Sequence, residues 1–218
     1  MALHNSIQEM LNESMNELLL SARICLDHKK DNGGCLGYPA AISLFSIVET
    51  IASAYSKRDG TGSLTVTIPD CPSPKPIKGT DDHFFILNSK YFNQNLTQPV
   101  IQDVYKYYRS RLVHNAFILK NRFLEKGKPT DSPFIIADNQ SGGKYLAKIN
   151  LEAFYSICES AVPVFLNDIK QPAFTAEVWD RAETDANEDK NKPLNPTSIL
   201  DRMTSTGFTE SVEVKVTT

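Results

Sequence analysis

No two of the four cysteines in this 218-residue chain form a Cys-x-x-Cys pair; Cys25, Cys35, Cys71 and Cys158 are scattered. Scattered thiols fit reduced side chains better than a disulfide framework. Cys25, His28 and Cys35 are the one grouping with metal-ligand chemistry, and their irregular spacing across a helix end does not suit the tetrahedral set that zinc takes. No metal and no other cofactor is expected. No stretch approaches 18 uninterrupted apolar residues, and the opening Met1-Ala2-Leu3-His4-Asn5 lacks a basic region followed by an apolar run. Neither a membrane span nor a secretory signal is expected, and a soluble cytoplasmic protein follows.

Phosphate-cradling loops are also missing. Gly33-Gly34-x-x-Gly37 precedes a helix, as such a turn would, but it follows a helix rather than a strand and lacks a lysine-serine or lysine-threonine ending. The glycine-flanked serine elbow is absent, and the acidic residues show no paired motif for carboxylate catalysis or magnesium.

What the chain does have is an uneven distribution of charge. A net charge of −3 and a pI near 5.8 argue against a protein built to coat nucleic acid, since counterion release needs many cations on one surface. Yet from Lys106 to Lys128 seven basic residues face the single Glu125, a local balance of +6, while the chain from Gln171 onward carries a balance of −4. A basic helix on an acidic protein suits a small phosphate-bearing ligand or a short RNA segment; it equally suits a helix that faces water.

Apolar periodicity predicts four main helices. Residues 3–29 carry Leu3, Ile7, Met10, Leu11, Met15, Leu18, Leu19, Ala22 and Leu26 at helical spacing, and Asp31-Asn32-Gly33-Gly34 ends that pattern. A second helix opens at Tyr38-Pro39 and runs to about residue 56, pairing antiparallel with the first across a short connection. Residues 57–80 collapse into Gly, Ser, Thr and Pro, with one short strand in the alternation Leu64, Val66, Ile68. His83 to Leu87 reads as a short helix. A third long helix spans 99–125, stopped by Gly127 and Pro129. Phe134 to Ala137 and Tyr145 to Ile149 flank a Gly-rich turn and read as a hairpin. Asn150 caps a last helix to about Ile169, which Pro163 should kink or end early. The fold class is therefore mainly α, a helical bundle over residues 1–170 with a small β-hairpin. Residues 171–218 form an acidic, irregular tail or strap, in which Trp179, Ile199, Leu200, Met203 and Phe208 are spaced like anchors for the core or for a protein partner.

Chemistry concentrates in the run Tyr107-Tyr108-Arg109-Ser110-Arg111-Leu112-Val113-His114-Asn115. On an ideal helix Ile101, Tyr105, Tyr108, Leu112, Ala116 and Leu119 form one apolar stripe. His114 falls on the opposite side, together with Ser110, Arg111 and Tyr107. That face gathers a titratable base, a hydroxyl, a guanidinium and a phenol, although most surface histidines do nothing chemical.

The spacing Arg109-x4-His114, followed by Asn115-Ala116 in a helical chain, resembles the HEPN family of helical domains, defined by an Arg-x(4 to 6)-His motif. The resemblance implies an up-and-down helical bundle and a metal-independent endoribonuclease acting as a homodimer, a class that includes bacterial toxins and phage-defence effectors. Arg109 and His114 would be catalytic: His114 as base or acid, Arg109 holding phosphate by its planar fork. Arg111, Ser110, Tyr107 and Asn115 would contact RNA or a nucleotide. Ser110 stands where active members commonly carry Asn, Asp or His. The competing reading is a non-catalytic HEPN-like module that binds a nucleotide or a protein.

Overall fold

The structure, a computed structural model, describes residues 6–31, 33–56, 63–118, 120–138 and 143–170. Contacts divide the chain into two units, Met1–Ala176 and Glu177–Thr218, and the described residues belong to the first. The proposed anchors Trp179, Ile199, Leu200, Met203 and Phe208 lie outside the described residues.

The fold is mainly helical with small strand elements. Helix α1 (Ile7–Asp27) starts where the Ser6 hydroxyl accepts a hydrogen bond from the backbone N–H of Glu9, satisfying one of the donors a helix start leaves open. Helix α2 (Gly37–Tyr55) follows after a short turn and packs along α1. It is long and apolar enough to cross a membrane by composition alone, and ten of its side chains are buried within the protein. Helix α5 (Leu151–Asp168) completes the packing against α1 and α2, its start capped by Asn150, whose side-chain oxygen accepts from the N–H of Ala153. Pro163 neither ends this helix nor shortens it; the last turn continues to Asp168.

Aromatic rings tie these helices together. Phe45 of α2 lies 5.3 Å from Phe154 of α5 and 5.9 Å from Phe84 of a 3-10 helix (Thr80–Asn88), while Phe134 stands 5.4 Å from Phe154. Each ring contributes about 1.5–3 kcal/mol through removal of its surface from water. The short helix expected at His83 to Leu87 is this 3-10 helix, and the strand expected near Val66 is β1 (Thr65–Val66), paired antiparallel with β2 (Lys75–Pro76).

The expected hairpin is present as β4 (Phe134–Asp138) and β5 (Lys144–Asn150), with a register slip between Ile135 and Ile136. A third strand, β3 (Phe123–Glu125), adds parallel to β5, giving the order β3-β5-β4. This corrects the long third helix. Residues 98–115 are helical as α3 (Gln98–Asp103), a π-helical segment (Val104–Arg109) and α4 (Ser110–Asn115), and the helix stops at Ala116 instead of running to 125.

The reason lies in what Arg122 has to reach. Ala116 adopts the left-handed conformation, with φ of 56°, and its N–H closes onto the carbonyl of Leu112. The chain then doubles back, so that Arg122 meets Asp103 on the same helix, Nη1 to Oδ2 at 3.0 Å. An uninterrupted helix would have carried Arg122 about 28 Å along the axis from Asp103. Asp103 also accepts the N–H of Leu146 at 2.9 Å, and Arg122 donates to the Leu146 carbonyl. This ion pair thus stands in for a neighbouring strand just beyond the end of β3, satisfying β5 backbone groups that would otherwise be open.

The return of the chain into α5 depends on Gly127. Its φ of +60° is in the left-handed region, and a Cβ there would come within 2.3 Å of the Asn150 side chain that caps α5.

Candidate functional site

Helix α3 opens at Thr97 with Pro99 in its first turn, where a missing N–H costs nothing. The chain reaches Arg109 through the π-helical segment, a rare geometry that recurs at functional sites. Ile101, Tyr108 and Leu112 are buried as the apolar stripe requires, and Tyr105 is half-buried. Ala116 is exposed because the helix has ended there.

Arg109 flanks that stripe and leans inward. Its Nε lies 2.9 and 3.0 Å from the two carboxylate oxygens of Glu49, with both side chains about four-fifths buried. Glu49 is the sole charged residue of α2, and a carboxylate on an otherwise uncharged, largely buried helix is expensive without a cation beside it. The pair therefore answers a requirement of the fold itself.

Around it, the 3-10 helix supplies Asp81, Asp82 and His83. The Tyr105 phenol is held above its ordinary pKa first by burial and then by its hydrogen bond to Asp81. Burial lowers the pKa of His83; Asp82 opposes that shift and the charge of Arg109 adds to it. A shallow cavity of about 460 Å³ opens beside this group, lined by Lys78 to Asp82. With Glu49, Asp81 and Asp82 gathered near one arginine, these surroundings repel phosphate more than they attract it.

The remaining residues of the expected site separate into two environments. Tyr107 is half-buried, with the guanidinium of Arg122 4.2 Å above its ring and the ammonium of Lys106 at 5.1 Å. Arg122 also lies 5.3 Å from the Tyr145 ring, so Tyr107 is engaged in holding the helix to the sheet. Ser110 is half-buried, whereas His114 and Asn115 are exposed. Arg111 stacks over the exposed ring of Phe117 at 5.8 Å. His114 follows Arg111 by three residues and shares its side of α4. No hydrogen bond or ion pair among the described residues joins Arg109 to His114.

The +6 stretch is thus divided. Arg109 is paired with Glu49, Arg122 with Asp103, and Lys126 lies 3.6 Å from Glu152, which also takes Arg23 at 2.8 Å. Arg111, Lys120 and Lys128 have no ion pair among the described residues. Among those residues no group of three His, Cys, Asp or Glu side chains is placed to hold a metal ion.

Glu49 and His83, like Asp81 and Asp82, belong to this neighbourhood although the motif does not indicate them. A signal for Glu49 was legible, since it is the one charge in nineteen residues of α2. His83 had none: its half-buried place beside Arg109 depends on how the 3-10 helix docks. Set against known protein families, curated proteins and solved structures, the chain matches none.

Proposed function

We propose that this chain is a non-catalytic, HEPN-like helical module that binds a protein partner. One observation carries the reading. The motif arginine, which would have to hold a phosphate in a nuclease, has its Nε side turned onto Glu49 in an acidic setting. Phosphate recognition by arginine uses its planar fork, and here the Nε edge of that fork is taken by Glu49, whose negative charge offsets that of the guanidinium.

The division of the basic stretch supports the same reading. Nucleic-acid affinity grows with the number of cations brought onto one surface, and three of the seven here are engaged with Glu49, Asp103 and Glu152. What remains exposed mixes a few cations with apolar side chains, among them Val113, Phe117 and Phe123. Such mixed surfaces are typical of protein interfaces.

The competing endoribonuclease reading rests on His114, exposed and on one side of α4 with Arg111. An RNA cleavage assay in EDTA separates the two. The wild type, His114→Ala and Arg109→Ala should all leave RNA at the buffer-only level. Cleavage by the wild type that disappears in His114→Ala would overturn the module and restore the nuclease.

A further inference from the structure

The geometry points to a binding site for a carboxylate carried on a bulky apolar group, in the cavity at the start of α2. It goes beyond the protein-binding reading and does not depend on it. The ligand chemistry is that of the C-terminal leucine of a polypeptide or of a free aryl- or alkyl-carboxylic acid.

The cavity, about 620 Å³, lies where three segments of the chain converge. The turn from Lys30 into α2 forms one wall, the end of β3 at Leu124 and Glu125 with the following Lys126 forms another, and Leu151 closes it where α5 begins. Backbone hydrogen bonds hold these segments without help from a ligand. The N–H of Lys30 donates to the Gly34 carbonyl at 2.8 Å, that of Gly33 to the Lys30 carbonyl at 2.9 Å, and that of Leu36 to Cys25 of α1 at 3.0 Å. On the other side the N–H of Glu152 reaches the Lys126 carbonyl at 2.9 Å, and Leu124 is in register with Ile149 of β5. Gly37 lets the two sides approach, since a Cβ there would stand 3.3 Å from Cδ1 of Leu151. Walls pinned in this way are formed before the ligand arrives, which lowers the ordering cost of binding.

The chemistry of the walls selects the ligand. Leu36, Tyr38, Pro39, Leu124 and Leu151 supply apolar surface. A volume of this size encloses a small organic group, and an inorganic anion alone would leave most of that surface in water. Lys30 and Lys126 bring two ammonium groups to the same walls. Lys30 has no ion pair among the described residues, while Lys126 lies 3.6 Å from Glu152, which also takes Arg23. The one carboxylate in the walls, Glu125, is held by Lys148. Two ammonium groups against one carboxylate leave an excess of one positive charge, which matches a ligand with a single negative charge. A phosphate monoester carries closer to two, and Glu125 and Glu152 beside the cations would repel the second. The N–H groups of Gly37 and Tyr38, neither engaged by another described residue, add uncharged donors to the same wall. One carboxylate on an apolar body uses all of these surfaces together.

The test is titration of the full chain with a short fluorescein-labelled peptide ending in Leu with a free carboxylate, with the same peptide amidated at its C-terminus, and with phenylacetate as competitor. The two acids should compete for one site, and amidation should weaken the peptide by about tenfold or more. Lys30→Glu, at an exposed position, should weaken both acids by about tenfold or more while melting with the wild type, and Tyr38→Ala should weaken them through the lost apolar wall. Either acid should slow alkylation of the half-exposed Cys35 in the cavity wall and leave Cys71 unaffected. Tighter binding of the peptide assigns the site to a polypeptide C-terminus, and tighter binding of phenylacetate assigns it to a free organic acid; both support the site. Absence of saturable binding by either acid up to about 5 mM would overturn it. So would an amidated peptide within about twofold of the free one, affinities within about twofold of wild type in both variants, or unchanged alkylation of Cys35. Displacement of the acids by inorganic phosphate at equal concentration would overturn the carboxylate assignment as well.

Discussion

Arg122 and Arg111 belong to one basic stretch and have opposite surroundings. Arg122 is almost wholly buried, held by Asp103 and the Leu146 carbonyl and set between the rings of Tyr107 and Tyr145. Arg111 lies half-exposed over Phe117 and has no carboxylate among the described residues. Local charge density counts these two arginines alike. Their difference shows that a cluster of positive residues in a sequence is a set of separate obligations, some to the fold and some to whatever lies outside it.

Breaking the inner set should have the largest effect. Arg122→Ala leaves Asp103 without its cation and exposes the Leu146 backbone, and it should lower stability by about 3–5 kcal/mol. Urea unfolding of the variant measures this; a loss under about 1 kcal/mol would mean that the pair adds little to holding β5. Gly127→Ala comes next, at about 2 kcal/mol, combining the cost of a left-handed alanine with displacement of the α5 cap, and the same unfolding curves read it.

His83 gives a pH signature of the inner region. Its folded-state pKa lies below the ordinary histidine value, with burial as the main cause, so the neutral ring is the form the fold favours. The stability it contributes is therefore full above about pH 6.5 and is lost as pH falls through the folded-state pKa. The melting temperature should decline from pH 7 toward about pH 5, and His83→Gln should flatten that decline. An unchanged slope would remove His83 from the buried group.

The outer set should give the smallest change in stability. Arg111→Ala and His114→Ala remove partly or wholly exposed side chains from α4 and should leave stability within about 0.5 kcal/mol. Both variants should melt with the wild type. A large drop for His114→Ala would make that histidine part of the frame.

Helical periodicity made most of the frame legible: α1, α2 and α5 fall within a few residues of the expected spans 3–29, 38–56 and 150–169, and the β4–β5 hairpin follows from the two β-favouring runs either side of a Gly-rich stretch. The stop at Ala116 was not legible, since alanine is a strong helix former and its left-handed conformation is imposed by the tertiary pull of Arg122 on Asp103. β3 was hidden for the same reason, because Phe123 to Glu125 fit a helical pattern until the sheet claims them. The Arg109 to His114 spacing was plain, but the direction of Arg109 depended on Glu49, sixty residues earlier in sequence.

The central claim is that the motif arginine serves the fold. A double-mutant cycle of Arg109→Ala and Glu49→Gln, read by urea unfolding with RNA cleavage followed in parallel, tests it most directly. The account predicts a coupling of about 1–3 kcal/mol between the two positions and no cleavage by any of the four proteins. A coupling near zero, together with a wild-type cleavage activity that Arg109→Ala abolishes, would contradict it.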